Sequence, residues 1–190
     1  NEERLQKALL ELTDAVAIKG DLSIESDRIR IAEELKNNHS DVNIIVNNAG
    51  AAFGYSLSEE VNSHLKAMQE MNTNYFAIIH FDELLIPHLL TKTEAAVVNI
   101  SSIAVYGSHA AIPTYGASKA ALHSYTTALR DTFKDQANLG VFEVYPPLVN
   151  TEFSAYIGGE HGIAPSEVAD ELFVGLENNQ FDIPVGDTKY

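Results

Sequence analysis

The chain has 190 residues, of which 45% are hydrophobic and 21% charged, as expected of a soluble domain with one sizeable core. Its formal net charge of −15 argues against binding to nucleic acid or to anionic lipid, both of which require clustered lysine and arginine. The chain lacks cysteine, which excludes disulfides, thiol catalysis and zinc–thiolate sites, and no uncharged apolar run is long enough for a membrane span. We therefore expect a cytoplasmic protein.

Helical and strand patterns alternate along the chain. Spaced apolar residues predict helices over residues 1–11, 24–37, 58–90 and 114–135, and Pro165 is expected to begin a last helix. Runs rich in β-branched residues predict strands at 16–18, 42–46, 95–100, 141–145 and 181–185. Strands separated by helices favour parallel crossover units and a sheet covered on both faces. We expect one domain over residues 1–190, with an α/β doubly wound parallel sheet in three layers, α/β/α.

Polar residues follow several of the predicted strands. Asp21, Asn48, Ser102 and Thr151 each lie just beyond a strand end. In doubly wound sheets, ligands bind at the carboxyl ends of the strands, near the switch in strand order. Each residue also has a purely structural interpretation, because Ser, Thr, Asp and Asn commonly cap helices or stabilise turns.

Tyr115 and Lys119 stand four residues apart on a predicted helix and therefore share one face. A lysine cation beside a tyrosine favours the phenolate and lowers the tyrosine pKa, so the pair can exchange a proton with an alcohol or carbonyl oxygen. An isolated pair of this kind usually lies exposed on the surface and has no catalytic role. Ser102, thirteen residues before Tyr115, could hydrogen-bond the same substrate oxygen, which strengthens the catalytic interpretation.

The segments 99–103 (NISSI) and 115–121 (YGASKAA) carry a family resemblance. The chain resembles the short-chain dehydrogenase/reductases, whose fold is Rossmann-like. The resemblance implies that Ser102, Tyr115 and Lys119 are catalytic, and that Asn72, in the segment 71–74 (MNTN), supports a proton relay from the lysine through water. It also implies that Lys119 binds the nicotinamide ribose.

Further segments match the family in the same order. The run 47–50 (NNAG) resembles the signature that supports the adenosine side of the cofactor, through Asn48, Ala49 and Gly50. Asp21, followed by Leu22, matches the acidic residue that meets the adenine ring.

The segment 146–151 (PPLVNT) resembles the stretch that contacts the nicotinamide end, here through Pro146, Val149 and Thr151. Pro147 replaces the usual glycine, which is typical of a bacterial subgroup associated with lipoteichoic-acid D-alanylation clusters. Beyond it, Phe153, Tyr156 and Ile157 are expected to line an apolar substrate pocket.

One family feature has no match in this sequence. The family begins with a strand, a glycine-rich phosphate loop, a helix and a second strand, but Gly20 is the first of the eleven glycines and none forms such a loop. We expect the first two strands, roughly 40 residues, to be absent from this sequence. In this family the residue at the end of the second strand determines whether the enzyme uses NAD or NADP. Because that strand is expected to be absent from this sequence, the expected cofactor is NAD or NADP.

The expected function is hydride transfer between the nicotinamide and a carbonyl or secondary alcohol, with Tyr115 as general acid/base. Small-molecule carbonyls or alcohols are the expected substrates, and the family usually forms homodimers or homotetramers. The alternative is a catalytically silent relative that no longer binds cofactor and acts as a binding or regulatory subunit. A bound metal is not expected, because the histidines and carboxylates lack ligand spacing, and a serine hydrolase would need Gly-x-Ser-x-Gly, which does not occur.

Overall fold

The computed structural model describes residues 2–189. It contains six α-helices and four strands within that range, with a π-helical segment at Asn72–Phe76 between the third and fourth helices. The elements, in chain order, are α1 Glu2–Glu11, α2 Glu25–Asn38, β1 Ile44–Asn47, α3 Ser63–Met71, α4 Ala77–Leu89, β2 Ala95–Ile100, α5 Tyr115–Thr132, β3 Leu139–Tyr145, α6 Pro165–Glu177 and β4 Asp182–Pro184.

The four strands form one parallel sheet in the order β1-β2-β3-β4. β2 and β3 lie in its centre and are buried along almost their whole length, as expected for the near-continuous apolar runs of a parallel sheet. Helices cover both faces, so the predicted α/β doubly wound, three-layer fold is confirmed.

Alternate residues of the central strands pack on opposite layers. Val97 and Val141 point to the face covered by α2, α4 and α5, whose buried members include Leu85 and Leu89 of α4. The neighbouring strand residues, such as Val98, pack on the other face against α6. This alternation places every second residue at the strand ends on the side of α5, where Tyr115 and Lys119 lie.

The prediction of a strand at 16–18 is wrong. These residues are irregular, and the side chain of Val16 is 68% exposed. A strand needs a neighbour to accept and donate its backbone hydrogen bonds, and none of the strands in residues 2–189 lies beside this segment. The segment is held instead by Arg30, which donates to the Lys19 carbonyl.

The predicted long helix at 58–90 begins at Ser63 and runs to Leu89. Pro87 lies inside the helix, which ends two residues beyond it at Leu89. At Asn72–Phe76 the helix widens to π geometry, and Ala77 N donates to the Asn72 carbonyl five residues back. Such single-turn expansions often occur at functional sites. Across residues 2–189, no helix is both long and apolar enough to cross a bilayer.

Candidate active site

A cavity of about 1120 Å³ opens at the carboxyl ends of β1, β2 and β3. That volume is at the upper end of the range for small-molecule and cofactor sites. The segment after each strand contributes to its wall, as the doubly wound topology requires. Its lining includes nine of the twelve residues expected from the sequence to form the site, namely Asn48, Ala49, Gly50, Ser102, Tyr115, Lys119, Pro146, Val149 and Thr151.

Tyr115 and Lys119 lie together at the first turn of α5. The Tyr115 side chain is 9% exposed and Lys119 is 4% exposed, and the lysine Nζ lies 5.8 Å from the centre of the tyrosine ring. Lys119 Nζ donates a hydrogen bond of 2.7 Å to the carbonyl oxygen of Ile100, the last residue of β2. The lysine is therefore tied to the strand end beside Ser102.

Burial has opposite effects on the charged forms of these two groups. It raises the pKa of Tyr115 to about 12, although interaction with the Ser102 hydroxyl opposes this rise. It lowers the pKa of Lys119 to about 8, although the negative charge of Glu143 opposes this fall. The pKa of Tyr115 is raised in this arrangement because removal of the phenol from water dominates, and a lowering of that pKa by Lys119 stays a prediction. At neutral pH the phenol is protonated and can serve as an acid.

Ser102 and Thr151 also perform the structural roles that their residue types suggest. The Ser102 hydroxyl accepts a hydrogen bond of 3.1 Å from Ala104 N and so caps a short 3-10 turn. Thr151 and Ser154 form a reciprocal cap at the start of the turn 152–157. Both residues nevertheless line the cavity, so the structural role and a role in ligand binding are compatible.

The structure does not bring Asp21 and Leu22 into the cavity. The Asp21 carboxylate accepts hydrogen bonds from the backbone and hydroxyl of Ser23, which lowers its pKa. It borders a smaller hollow of about 470 Å³ formed with Lys19, Asp27 and Arg30. Leu22 packs on the core, and its carbonyl accepts from Arg28. Their interpretation as adenine-binding residues stays a prediction.

Asn72 is likewise separate from Tyr115 and Lys119 in its side-chain contacts. Its amide donates a hydrogen bond of 3.2 Å to the Ser23 carbonyl. Asn74, two residues later, is fully buried at the wall of the active site. Its side chain accepts from Ala51 N at 2.7 Å and donates to Ala51 O and to Ser118 Oγ, both at 2.8 Å. The sequence interpretation missed Asn74.

Asn74 thereby ties the loop that follows Asn48–Gly50 to α5. Two asparagines two residues apart point about 200° apart around a helix, so only one of them can face the loop. The sequence of the segment 71–74 (MNTN) does not indicate which of the two asparagines faces the loop. The π-helical turn adds a residue to the helix at this point and so sets which asparagine faces inward.

Buried Glu70 is a second residue that the sequence did not reveal. It accepts hydrogen bonds from Phe53 N at 2.9 Å and from Thr114 Oγ1 at 2.6 Å. Thr114 directly precedes Tyr115, and Tyr55 OH lies 2.7 Å from the same Thr114 hydroxyl. One carboxylate therefore joins the loop after Gly50 to the N-terminus of α5 and helps to fix the position of Tyr115.

Asp82 of α4 anchors the strand beneath this loop. It is fully buried, accepts from Asn47 Nδ2 at 2.9 Å and from Tyr125 OH at 3.2 Å, and burial raises its pKa to about 6. The pKa of an unfolded aspartate is about 3.9, so between about pH 4 and 6 the folded chain binds protons that the unfolded chain has lost. Folding stability therefore falls as the pH rises through this window.

We expect Asp82→Asn to remove this loss, which is on the order of 2–3 kcal/mol. Urea unfolding at pH 4.5 and pH 7 would show a smaller pH dependence for Asp82→Asn than for the unsubstituted chain. Asp135→Asn is the control, because Asp135 is exposed and its replacement should leave the pH dependence unchanged. An equal pH dependence in Asp82→Asn and the unsubstituted chain would show that Asp82 titrates alike in the folded and unfolded states.

Comparison with known proteins identifies the family. The family model described as short chain dehydrogenase matches residues 1–161. The uncharacterised oxidoreductase DltE of Bacillus subtilis is 29% identical over 174 residues, which cover 92% of this chain and 69% of DltE. Serine 3-dehydrogenase of Agrobacterium fabrum is 30% identical over 176 residues, which cover 92% of this chain and 68% of the relative.

A solved structure has the same fold. The short chain dehydrogenase of Burkholderia cenocepacia, in complex with NADP, superposes with a TM-score of 0.80 at 24% identity, covering 96% of this chain and 81% of that one. The family match spans the strand ends and the helix that carry Ser102, Tyr115 and Lys119. This chain belongs to the short-chain dehydrogenase family.

Proposed function

We propose that the protein is an NAD- or NADP-dependent oxidoreductase that interconverts a carbonyl compound and the corresponding secondary alcohol, with Tyr115 as the general acid/base. The observation that carries this proposal is the buried pair Tyr115 and Lys119, which lies with the half-buried Ser102 in the wall of one large cavity. A phenol whose pKa is raised to about 12 retains its proton at neutral pH and can donate it to a developing alkoxide.

The residues around the cavity fit the nicotinamide end of the cofactor. Lys119 supplies a buried ammonium for the ribose hydroxyls, while Val149 and Thr151 offer backbone and hydroxyl groups for the carboxamide. The NADP complex of the Burkholderia cenocepacia relative supports this class of cofactor. When bound, the reduced nicotinamide supplies the hydride, and the family membership supports that chemistry.

The protein side of the reaction is a proton transfer at one oxygen. The Ser102 hydroxyl hydrogen-bonds the substrate carbonyl oxygen and orients it toward Tyr115 OH. Tyr115 then donates its proton as negative charge develops on that oxygen, and Lys119 stabilises the resulting phenolate. In the alcohol oxidation direction the same groups accept the proton. Asn74 holds the loop of Asn48–Gly50 against α5 and so keeps the cavity wall in place.

The substrate side of the cavity is apolar. Phe153, Tyr156 and Ile157 all line it, as the sequence predicted, and the rings of Phe153 and Tyr115 are centred 6.5 Å apart. Leu148 and Leu172 add aliphatic surface. We therefore propose that the substrate carries a bulky apolar group next to its carbonyl carbon.

Nicotinamide absorbance at a fixed wavelength tests this proposal with purified protein, NADH or NADPH, and a panel of ketones and aldehydes. We expect oxidation of one of the two cofactors with apolar aryl or branched ketones, and slower turnover of small polar carbonyls such as acetone. Ser102→Ala should lower the rate by on the order of 10²-fold, because a hydrogen bond to the developing oxyanion is lost. Failure to bind either cofactor would support a catalytically silent binding or regulatory subunit instead.

We also propose that the protein assembles as a homodimer or homotetramer through α3 and the π-helical turn. Leu65, Met68 and Phe76 on these segments are 49%, 65% and 55% exposed, which leaves apolar surface without a cover from residues 2–189. Sedimentation velocity should show a species of two or four chains. Replacing Met68 with Glu should shift it toward the monomer, whereas Lys92→Glu, away from these helices, should not.

A further inference from the structure

A row of polar residues crosses the sheet beneath α4 and α5. Asn47 of β1 is in register with Asn99 of β2, which is in register with Glu143 of β3, and Glu143 is in register with Asp182 of β4. Buried parallel strands normally carry apolar residues at such positions. Asn47 and Asn99 satisfy each other through a hydrogen bond of 2.8 Å. Glu143 is the member of this row that is both ionisable and fully buried.

The Glu143 carboxylate is held on one side. Its Oε2 atom accepts a hydrogen bond of 2.9 Å from His123 Nδ1 and lies 2.9 Å from Tyr145 OH. Its Oε1 atom is buried and has no hydrogen-bond partner within residues 2–189. A buried carboxylate with a free oxygen requires a nearby positive charge to offset the loss of water.

Lys119 is a buried cation on α5, the helix that packs against the strand of Glu143. Lys119 and His123 are four residues apart on α5 and therefore share the face that meets β3. Lys119 Nζ bonds the carbonyl of Ile100, whose strand partner Val144 is the residue after Glu143. The Glu143 charge raises the pKa of Lys119 against the larger effect of burial, which lowers it to about 8.

We propose that Glu143 is a positioning residue for the active site, where its carboxylate, fixed by His123 and Tyr145, keeps the buried Lys119 ammonium charged beside Tyr115. The importance of that charge for turnover rests on the proposed function. Without a counter-charge, an ammonium removed from water releases its proton more readily. Lys119 would then lose the positive charge that stabilises the Tyr115 phenolate.

Other charged and titratable groups near Glu143 contact Tyr145 or one another. From β4, Asp182 lies 2.9 Å from Tyr145 OH, and Arg130 of α5 donates to both Asp182 carboxylate oxygens at 3.1 Å. Tyr106 stacks against Tyr145 at 5.7 Å. Arg130 is therefore engaged with Asp182, and Lys119 is the cation that acts with Glu143 on the side of the active site.

The test is a direct titration of Lys119 that does not require turnover. In the full chain with 13Cε-labelled lysine, NMR would follow each lysine from pH 6 to pH 11, and the signal missing from Lys119→Arg identifies Lys119. We expect a titration midpoint for Lys119 of about 8, because burial lowers its pKa. In Glu143→Gln, which retains the shape of the side chain and one acceptor oxygen but removes the charge, we expect the midpoint to fall by about 1 unit.

Asp182→Asn is the matched control, because Asp182 contacts the same Tyr145 hydroxyl but does not act on Lys119. Its midpoint should equal that of the unsubstituted chain. Glu143→Asp retains the charge at a greater distance, so it should produce a smaller fall and provides a second variant if Glu143→Gln does not fold by circular dichroism.

An unchanged Lys119 midpoint in the folded Glu143 variants, or an equal fall in Asp182→Asn, would overturn the proposal. A fall specific to the Glu143 variants would support it even if no carbonyl compound were turned over, so failure of the proposed reaction would remain distinguishable. If the reaction does proceed, the apparent pKa of its pH–rate profile that is assigned to Lys119 should fall in Glu143→Gln by as much as the NMR midpoint falls. In Asp182→Asn that apparent pKa should not change.

Discussion

Replacing Tyr115 with Phe should reduce carbonyl turnover on the order of 10²–10⁴-fold, the range that a positioned general acid contributes. The change removes only the phenol oxygen, so the buried ring still fills its place at the start of α5 and against Phe153. Fold and cofactor binding should therefore persist. Steady-state oxidation of the reduced nicotinamide, together with a binding titration by nicotinamide fluorescence, would separate the loss of chemistry from a loss of binding.

Tyr106→Phe is the matched control for this change. Tyr106 also lines the cavity, but it is 70% exposed and stacks on Tyr145, away from Lys119. Its turnover should remain within a few-fold of the unsubstituted chain. If Tyr115→Phe retained full turnover with every carbonyl compound that the protein reduces, the proton would come from another group and the assignment of Tyr115 would fail.

Replacing Asn74 with Ala should destabilise the protein by about 3 kcal/mol, because it removes the three hydrogen bonds of a fully buried amide, two to the part-buried backbone of Ala51 and one to the buried Ser118 hydroxyl. The same change should weaken cofactor binding, since the loop of Asn48–Gly50 would no longer be tied to Ser118 of α5. Urea unfolding measures the first effect, and the fluorescence titration measures the second.

Asn72→Ala provides the comparison that separates the two asparagines. Asn72 makes one hydrogen bond of 3.2 Å to the Ser23 carbonyl, so its removal should cost about 0.5–1 kcal/mol and leave turnover nearly unchanged. Equal losses of turnover in the two variants would contradict this assignment. A larger loss in Asn72→Ala would restore the role that the family resemblance suggested for Asn72.

The polar groups beneath the active site connect these effects. Glu70, Asn74 and Asp82 all project from one long helix. Glu70 and Asn74 bond the loop after Gly50 and the start of α5, and Asp82 bonds the end of β1. Buried polar networks of this kind specify one arrangement, because any other leaves donors or acceptors unpaired. The helix that contains the π turn therefore fixes the positions of the loops after β1 and before α5.

The sequence alone was sufficient for the fold class and for several of the residues that line the cavity. Strand runs such as residues 95–100 are apolar on both faces whatever their neighbours are, and Pro165 starts a helix for local reasons. Tyr115 and Lys119 are one helical turn apart, so their proximity also follows from local geometry. Local patterns failed at 16–18, where a strand requires a partner that these residues cannot supply themselves.

The tertiary structure alone decided what surrounds that pair. Only the folded chain shows that Asn74 rather than Asn72 faces the cavity wall, because a π-helical turn changes the phase of the helix. Only the packing of the chain shows that Tyr115 is buried enough for its pKa to rise. Only the packing also brings Glu143, 24 positions from Lys119 in sequence, close enough to act on the charge of that lysine. Spacing along one helix determines which side chains are neighbours, whereas burial and charge depend on segments that are distant in sequence.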